Sequence, residues 1–131
     1  MGIARLLLDT NVLLWALLSP SDLSEAAFER LRDPNTQLLV SSVSAWEIAI
    51  KHALGKLAGA EQVVAGFSAH LERLQADILV ITPEHALRAG ALPRHHRDPF
   101  DRMLIAQAQL EHVPLVASDA LFLSYEVEVV W

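Results

Sequence analysis

Cysteine is absent from this 131-residue chain. That excludes disulfides, thiolate metal sites and a cysteine nucleophile, and it suits a reducing cytoplasm, where the chain is expected to reside. No apolar run approaches the ~20 residues of a membrane span, so no membrane association is expected. The N-terminal stretch reaches Asp9 too early for the apolar region of a signal peptide. Basic residues are also scarce, with 10 Lys and Arg against 16 Asp and Glu for a net charge of −6. Wholesale electrostatic binding to nucleic acid or to an anionic membrane is thereby disfavoured. With 5 glycines and 6 prolines, the chain shows no repeat, low-complexity tract or linker. What it has in abundance is apolar side chains, 53% against 20% charged, which rules out global disorder. One domain spanning residues 1–131 is expected.

The apolar residues fall into short runs separated by helical patterns. Leu6-Leu7-Leu8, Leu38-Leu39-Val40, Ile78-Leu79-Val80-Ile81, Pro114-Leu115-Val116-Ala117 and Val127 to Trp131 read as five strands, the last at an edge. Between them lie helices predicted from Thr10, as cap, to Leu18; from Ser24 to Arg32; from Ser44 to Leu57; from Glu61 to Leu74 after a break at Gly59; from Thr82-Pro83 to Gly90; and from Asp98-Pro99 to His112. Buried strands alternating with helices predict an α/β fold, a parallel sheet of about five strands covered on both faces. Ligands of such sheets gather at the carboxyl ends of the strands, at a topological switch point.

Two acids stand at those ends: Asp9 follows the first strand and Asp119 the fourth. Glu47 lies one turn into the helix after the second strand, and Asp101 one turn into the helix feeding the fourth. Each has an ordinary reading. Ser44 and Glu47 match a capping box, Asp98-Pro99-Phe100-Asp101 matches an Asp N-cap with an acid in the first turn, and Asp9 and Asp119 are at home in turns. Periodicity argues for more. Asp101 shares a face with Leu104, Ile105 and Ala108, and Glu47 borders Val43, Ile50 and Leu54. A carboxylate turned toward a core is costly unless paired or metal-bound. Four acids on one sheet edge, without four matching bases, favour a hard divalent cation, Mg²⁺ or Mn²⁺, over capping alone.

The ordered segments Leu7-Leu8-Asp9-Thr10-Asn11-Val12-Leu13-Leu14-Trp15, Ser41-Ser42-Val43-Ser44-Ala45-Trp46-Glu47-Ile48, His95 to Ala108 around Asp98-Pro99-Phe100-Asp101, and Ser118-Asp119 followed by Phe122 and Tyr125 resemble a PIN-domain ribonuclease of the VapC toxin type. The likeness spans essentially the whole chain. Ser118 stands where the family often has Thr, so a hydroxyl is retained, and Asp98 falls outside the family's core acids. The resemblance implies a five-stranded parallel sheet and a carboxylate-bound Mg²⁺ or Mn²⁺ that cleaves RNA to a 5′-phosphate and a 3′-hydroxyl. Its acidic residues match Asp9, Glu47, Asp101 and Asp119. It also implies a homodimer and a small antitoxin lying over the site; a housekeeping nuclease of the family would look similar in sequence.

On this reading Asp9 and Asp101 are the first candidates for direct ligands, with Glu47 and Asp119 binding a second ion, bonding through water or orienting the attacking water. Thr10, Asn11 and Ser118 are candidates to hydrogen-bond the carboxylates. Arg94, Arg97 and Arg102 are candidates for RNA phosphate contacts, whereas His95-His96 reads as a solvated loop. Lys51 has the i,i+4 spacing to pair with Glu47. Trp15 and Trp46 sit in apolar stripes and read as core or interface. The helix Val12 to Leu18 is apolar nearly all round, as a buried or partner-covered helix would be. Two other readings remain open at this level. One is a phosphoryl-transfer or phosphatase-type protein, although Asn11 fills the second position of its Asp-x-Asp. The other is a non-catalytic dimeric binding module of the same fold.

Overall fold

The computed structural model describes residues 4–95 and 98–131. Its backbone is organised by the three leucines that end β1 (Ala4–Leu8), all buried. Leu6 and Leu7 pair in parallel with Leu38 and Leu39 of β2 (Thr36–Ser41), while Leu7 and Leu8 pair with Leu115 and Val116 of β4 (Leu115–Val116). β3 (Ala76–Leu79) adds outside β2 and β5 (Val129–Val130) outside β4, giving a five-stranded parallel sheet in the order β3-β2-β1-β4-β5.

Alternation along the strands builds two cores. Leu6, Leu8, Leu38, Val40 and Val116 face one side, with α1 (Thr10–Leu18), α2 (Glu25–Arg32), α4 (Ala60–Ala65) and α5 (Phe67–Leu74) packed on them. Leu7, Leu39, Leu115 and Ala117 face the other, covered by α6 (Pro83–Ala91) and α7 (Pro99–Glu111). α3 (Ser42–Ala53) serves both, through Ile48 on the first side and Val43 on the second. The chain thus builds outward from β1 to β3, crosses to the opposite face, and returns to lay β4 on the other side of β1. The switch point between β1 and β4 is where their carboxyl ends open a crevice. Among the described residues no helix is long and apolar enough to cross a membrane.

The α/β class and the parallel sheet agree with the sequence expectation; several boundaries differ. β3 ends at Leu79 because its partner strand ends at Ser41, where α3 begins; Val80 and Ile81 are left unpaired by β2, and both are exposed. α3 is capped by Ser41, whose hydroxyl accepts from the Val43 N–H at 3.0 Å, so Ser44 is a buried interior residue and the expected Ser44–Glu47 capping box does not form. The helix ends at Ala53, and Leu54, expected on the sheet face, is exposed. α1 begins at Thr10 with Asp9, not Thr10, as N-cap. The single helix expected from Glu61 to Leu74 is two, α4 and α5, divided at Gly66, where a missing side chain makes helix continuation costly. Gly59, at φ 82°, turns the chain into α4 through a conformation that favours glycine.

Candidate functional site at the carboxyl edge of the sheet

Asp9 sits at the switch point. Its backbone N–H donates to the carbonyl of Val116 at 3.0 Å, tying the end of β1 to the end of β4. Only 5% of the residue is exposed. Its carboxyl is pushed up from 3.8 to about 7, first by burial and then by the negative charges of Asp101 and Glu47. The amides of Thr10 and Asn11 pull the other way, without completing a side-chain cap. An ionised Asp9 is therefore held at a cost.

Glu47 reaches the same place from α3. It is buried, and its Oε2 accepts from Lys51 Nζ at 2.7 Å, the pairing the spacing predicts. Its other oxygen, Oε1, is buried with no hydrogen-bond partner among the described residues. Burial lowers the Lys51 pKa, but the hydrogen bond and charge of Glu47, with Asp98 and Asp101, outweigh it and raise the ammonium's pKa overall. Asp101, half-buried, is delivered by the first turn of α7. Asp98 caps that helix as expected, its Oδ1 accepting from the N–H groups of Phe100 at 2.9 Å and Asp101 at 3.3 Å.

Three of the four expected acids thus act on one another. Asp119 stands apart: it is exposed, and its Oδ1 accepts from the Leu121 N–H at 2.9 Å, capping the short 3₁₀ turn Ala120–Ser124. Among the described residues no three His, Asp or Glu side chains stand close enough to enclose an ion. Asp9, Glu47 and Asp101 are neighbours rather than a closed cage. The donor set still suits a hard cation. It is all oxygen, it includes a buried orphan atom, and one lysine opposes three carboxylates.

The other expected residues divide. Thr10 is buried, but its hydroxyl lies 2.9 Å from the Ser44 hydroxyl and joins α1 to α3 instead of bonding a carboxylate. Asn11 and Ser118 are exposed. Arg102 is no open phosphate contact: its guanidinium donates to the carbonyls of Ala89 and Leu92 at 2.9 Å and of Pro93 at 3.0 Å, closing the C-terminal end of α6. Five fixed donors suit that task. Arg94 is exposed; Arg97 and His96 lie outside the described residues. His95 packs edge-on against Tyr125, centroids 5.1 Å apart. Trp15 is half-buried and pairs with Trp131 at 5.6 Å. Trp46, expected in the core or an interface, is 59% exposed in this chain.

Sequence reasoning passed over the buried His85. Its Nδ1 accepts the Thr82 N–H at 3.0 Å, so the proton is on Nε2, which donates to Glu111 Oε2 at 2.9 Å and locks α6 to α7. The Thr82-x-x-His85 spacing was the available signal, since the two residues form a capping box. Sequence reasoning also passed over Phe100 beside Trp46. Their signal was an aromatic residue directly before a site acid, in Trp46-Glu47 and again in Phe100-Asp101.

The fold has solved counterparts. It is similar to VapBC2 from Rickettsia felis, solved bound to a DNA fragment from their promoter, with 16% identity, 96% of this chain and 97% of that one covered, and a TM-score of 0.72. It is similar to VapBC-1 from nontypeable Haemophilus influenzae, at 18% identity, 96% coverage of each chain and a TM-score of 0.67, and to FitAcB from Neisseria gonorrhoeae, at 18%, 95% of each and 0.64. Identities this low establish shared architecture only. Among curated proteins none gives a significant match. The PIN domain family model matches residues 6–127, a span that runs from β1 almost to β5 and takes in every acid described above. By that match and by its sheet order, the chain belongs to the PIN-domain family.

Proposed function

We propose that the chain is a divalent-metal-dependent endoribonuclease, and that it is the toxin of a type II toxin–antitoxin pair. The observation that carries the first part is Asp9: a buried carboxyl raised to about 7 by burial and by two neighbouring acids, at the switch point of a PIN-family sheet. Perturbed carboxyl groups held at a cost mark sites of function. The second part rests on the structural neighbours, whose names describe VapBC proteins and a toxin–antitoxin complex. The phosphatase alternative loses ground, because the position that would carry its second acid is the exposed Asn11.

Asp9, Glu47 and Asp101 would hold Mg²⁺ or Mn²⁺. When bound, such an ion supplies a water of lowered pKa and neutralises charge building on the phosphate. Asp9 would bind such an ion as the carboxylate, its proton released to solvent. Lys51 holds Glu47 by Oε2 and leaves Oε1 buried without a partner among the described residues, free to serve as a ligand. Asp119, open to solvent, acts through water. Thr10 and Ser44 fix α1 against α3, and so fix Asp9 against Glu47. An antitoxin segment covering three carboxylates would present Arg or Lys. The exposed Leu87 and Leu123 offer apolar surface for that partner or for a homodimer.

The test is incubation of purified protein with structured and unstructured RNAs in Mg²⁺, Mn²⁺ or EDTA, with the cut sites mapped. Cleavage is expected with metal and not with EDTA, and Asp101→Asn is expected to fold and not cleave. Full activity of folded Asp101→Asn, or undiminished cleavage in EDTA, overturns the assignment.

A further inference from the structure

Trp46 is 59% exposed, an unusual position for an indole, which normally gains by burial. The ring is not loose: Phe100 stands against it at 5.0 Å between centroids and 78° between planes, an edge-to-face pair that fixes its orientation. The pair joins α3 to α7, two helices that pack together. In each helix the aromatic residue directly precedes a site acid, Glu47 in one and Asp101 in the other. Successive helical residues diverge by about 100°, so the acid turns inward while the ring is carried to the rim. The chain's other tryptophans, Trp15 and Trp131, pair with each other and serve differently, since Trp15, on α1, packs against the core.

We propose that Trp46, propped by Phe100, is a stacking shelf for an unpaired nucleobase. The substrate is then a single-stranded or looped RNA segment whose backbone passes Asp9, Glu47 and Asp101. This rests on the ribonuclease reading above. Every base offers a π-face, so stacking grips a strand without reading its sequence. A base inside a duplex has both faces occupied, whereas bases in loops can be splayed onto aromatic side chains. The charge distribution makes such a grip useful. The net charge is −6, and two cations on these same helices are committed within the fold, Lys51 to Glu47 and Arg102 to backbone carbonyls, so neither is spared for the electrostatic attraction that usually dominates. Stacking supplies affinity that does not depend on charge.

Wild type, Trp46→Ala and Trp46→Phe are compared on a short single-stranded RNA, on the same sequence in a duplex, and on versions with one base removed beside the mapped cut site. Trp46→Ala is expected to raise KM roughly 5- to 150-fold, the range for loss of one base stack, with kcat nearly unchanged. Trp46→Phe should restore most of it, and the duplex should be a poor substrate for all three. Removing the stacked base should cost wild type a similar factor and cost Trp46→Ala nothing further. An unchanged KM, an equal further loss in Trp46→Ala on the abasic RNA, or a changed oligomeric state of Trp46→Ala overturns the shelf. Trp46→Ala failing to fold while folded Trp46→Phe binds as weakly as an unrelated protein also overturns it. If wild type cleaves no RNA, the nuclease reading falls by itself, and the shelf is judged by fluorescence anisotropy of a labelled single-stranded oligonucleotide. Weaker binding by Trp46→Ala then supports it; equal binding overturns it.

Discussion

Replacing Asp9 by asparagine should make the metal-free protein more stable at alkaline pH while abolishing cleavage. In the folded state the carboxyl of Asp9 titrates at about 7, against an ordinary 3.8. Between those values the folded protein keeps a proton that the unfolded chain releases. Stability from this group is therefore complete below pH 3.8 and is lost as pH rises toward 7. Each pH unit in that window costs about 1.4 kcal/mol, so the rise from pH 5 to neutrality costs wild type about 2 kcal/mol, and a little more is lost by pH 8. Asp9 is 5% exposed, so solvent does little to screen the effect. The amide introduced by Asp9→Asn cannot ionise, so this contribution to the pH dependence is missing from the variant. The stability of the variant relative to wild type should thus grow by about 3 kcal/mol between pH 5 and pH 8, roughly 10 °C in Tm for a chain of this size. Urea unfolding followed by circular dichroism, in EDTA at the two pH values, measures it. Parallel profiles for the two proteins would refute the account of Asp9 as an ionised group held at a cost. Millimolar Mn²⁺ should stabilise wild type and leave Asp9→Asn unmoved, because only a ligand bound by the native state shifts the equilibrium.

Three further outcomes follow from the contacts. Arg102→Lys should destabilise by about 1–3 kcal/mol in urea titrations, because an ammonium cannot span the carbonyls of Ala89, Leu92 and Pro93; unchanged stability with weakened RNA binding would return Arg102 to the phosphate rim. Lys51→Met should lower the stability of the metal-free protein and tighten Mn²⁺ binding severalfold by calorimetry, since Glu47 Oε2 loses its cation; weaker Mn²⁺ binding would contradict the shared use of Glu47. His85→Leu should cost about 2–3 kcal/mol, leaving the Thr82 N–H and the Glu111 carboxylate without their bonds, and it should spare the carboxylate site; a thermal melt matching wild type would show the α6–α7 lock to be dispensable.

The site was partly legible in the sequence because some of its features are local. The spacing of Glu47 and Lys51 is a property of one helix and sets their contact wherever that helix packs. Asp98 before Pro99 caps α7 by bonds within three residues. Other expectations depended on which distant group arrives. Asp119 is as well placed in sequence as Asp9, yet Asp9 is buried against Asp101 and Glu47, and Asp119 faces solvent and caps a turn. An arginine near the site looked suited to phosphate until α6 brought its terminal carbonyls to Arg102.

The sequence by itself determined the alternation of apolar strands and helices, and hence a parallel sheet buried on both faces with Asp9 at a strand end, because hydrophobic period and strand length are written residue by residue. Tertiary structure alone decided where β3 stops, since Ser41 ends the strand it pairs with. It decided which acids share a field, since burial and charge–charge distance are set by elements far apart in the chain. It decided that Trp46 stands exposed beside Phe100 rather than in a core, because exposure depends on what packs over a residue, and no window of sequence around Trp46 contains α7.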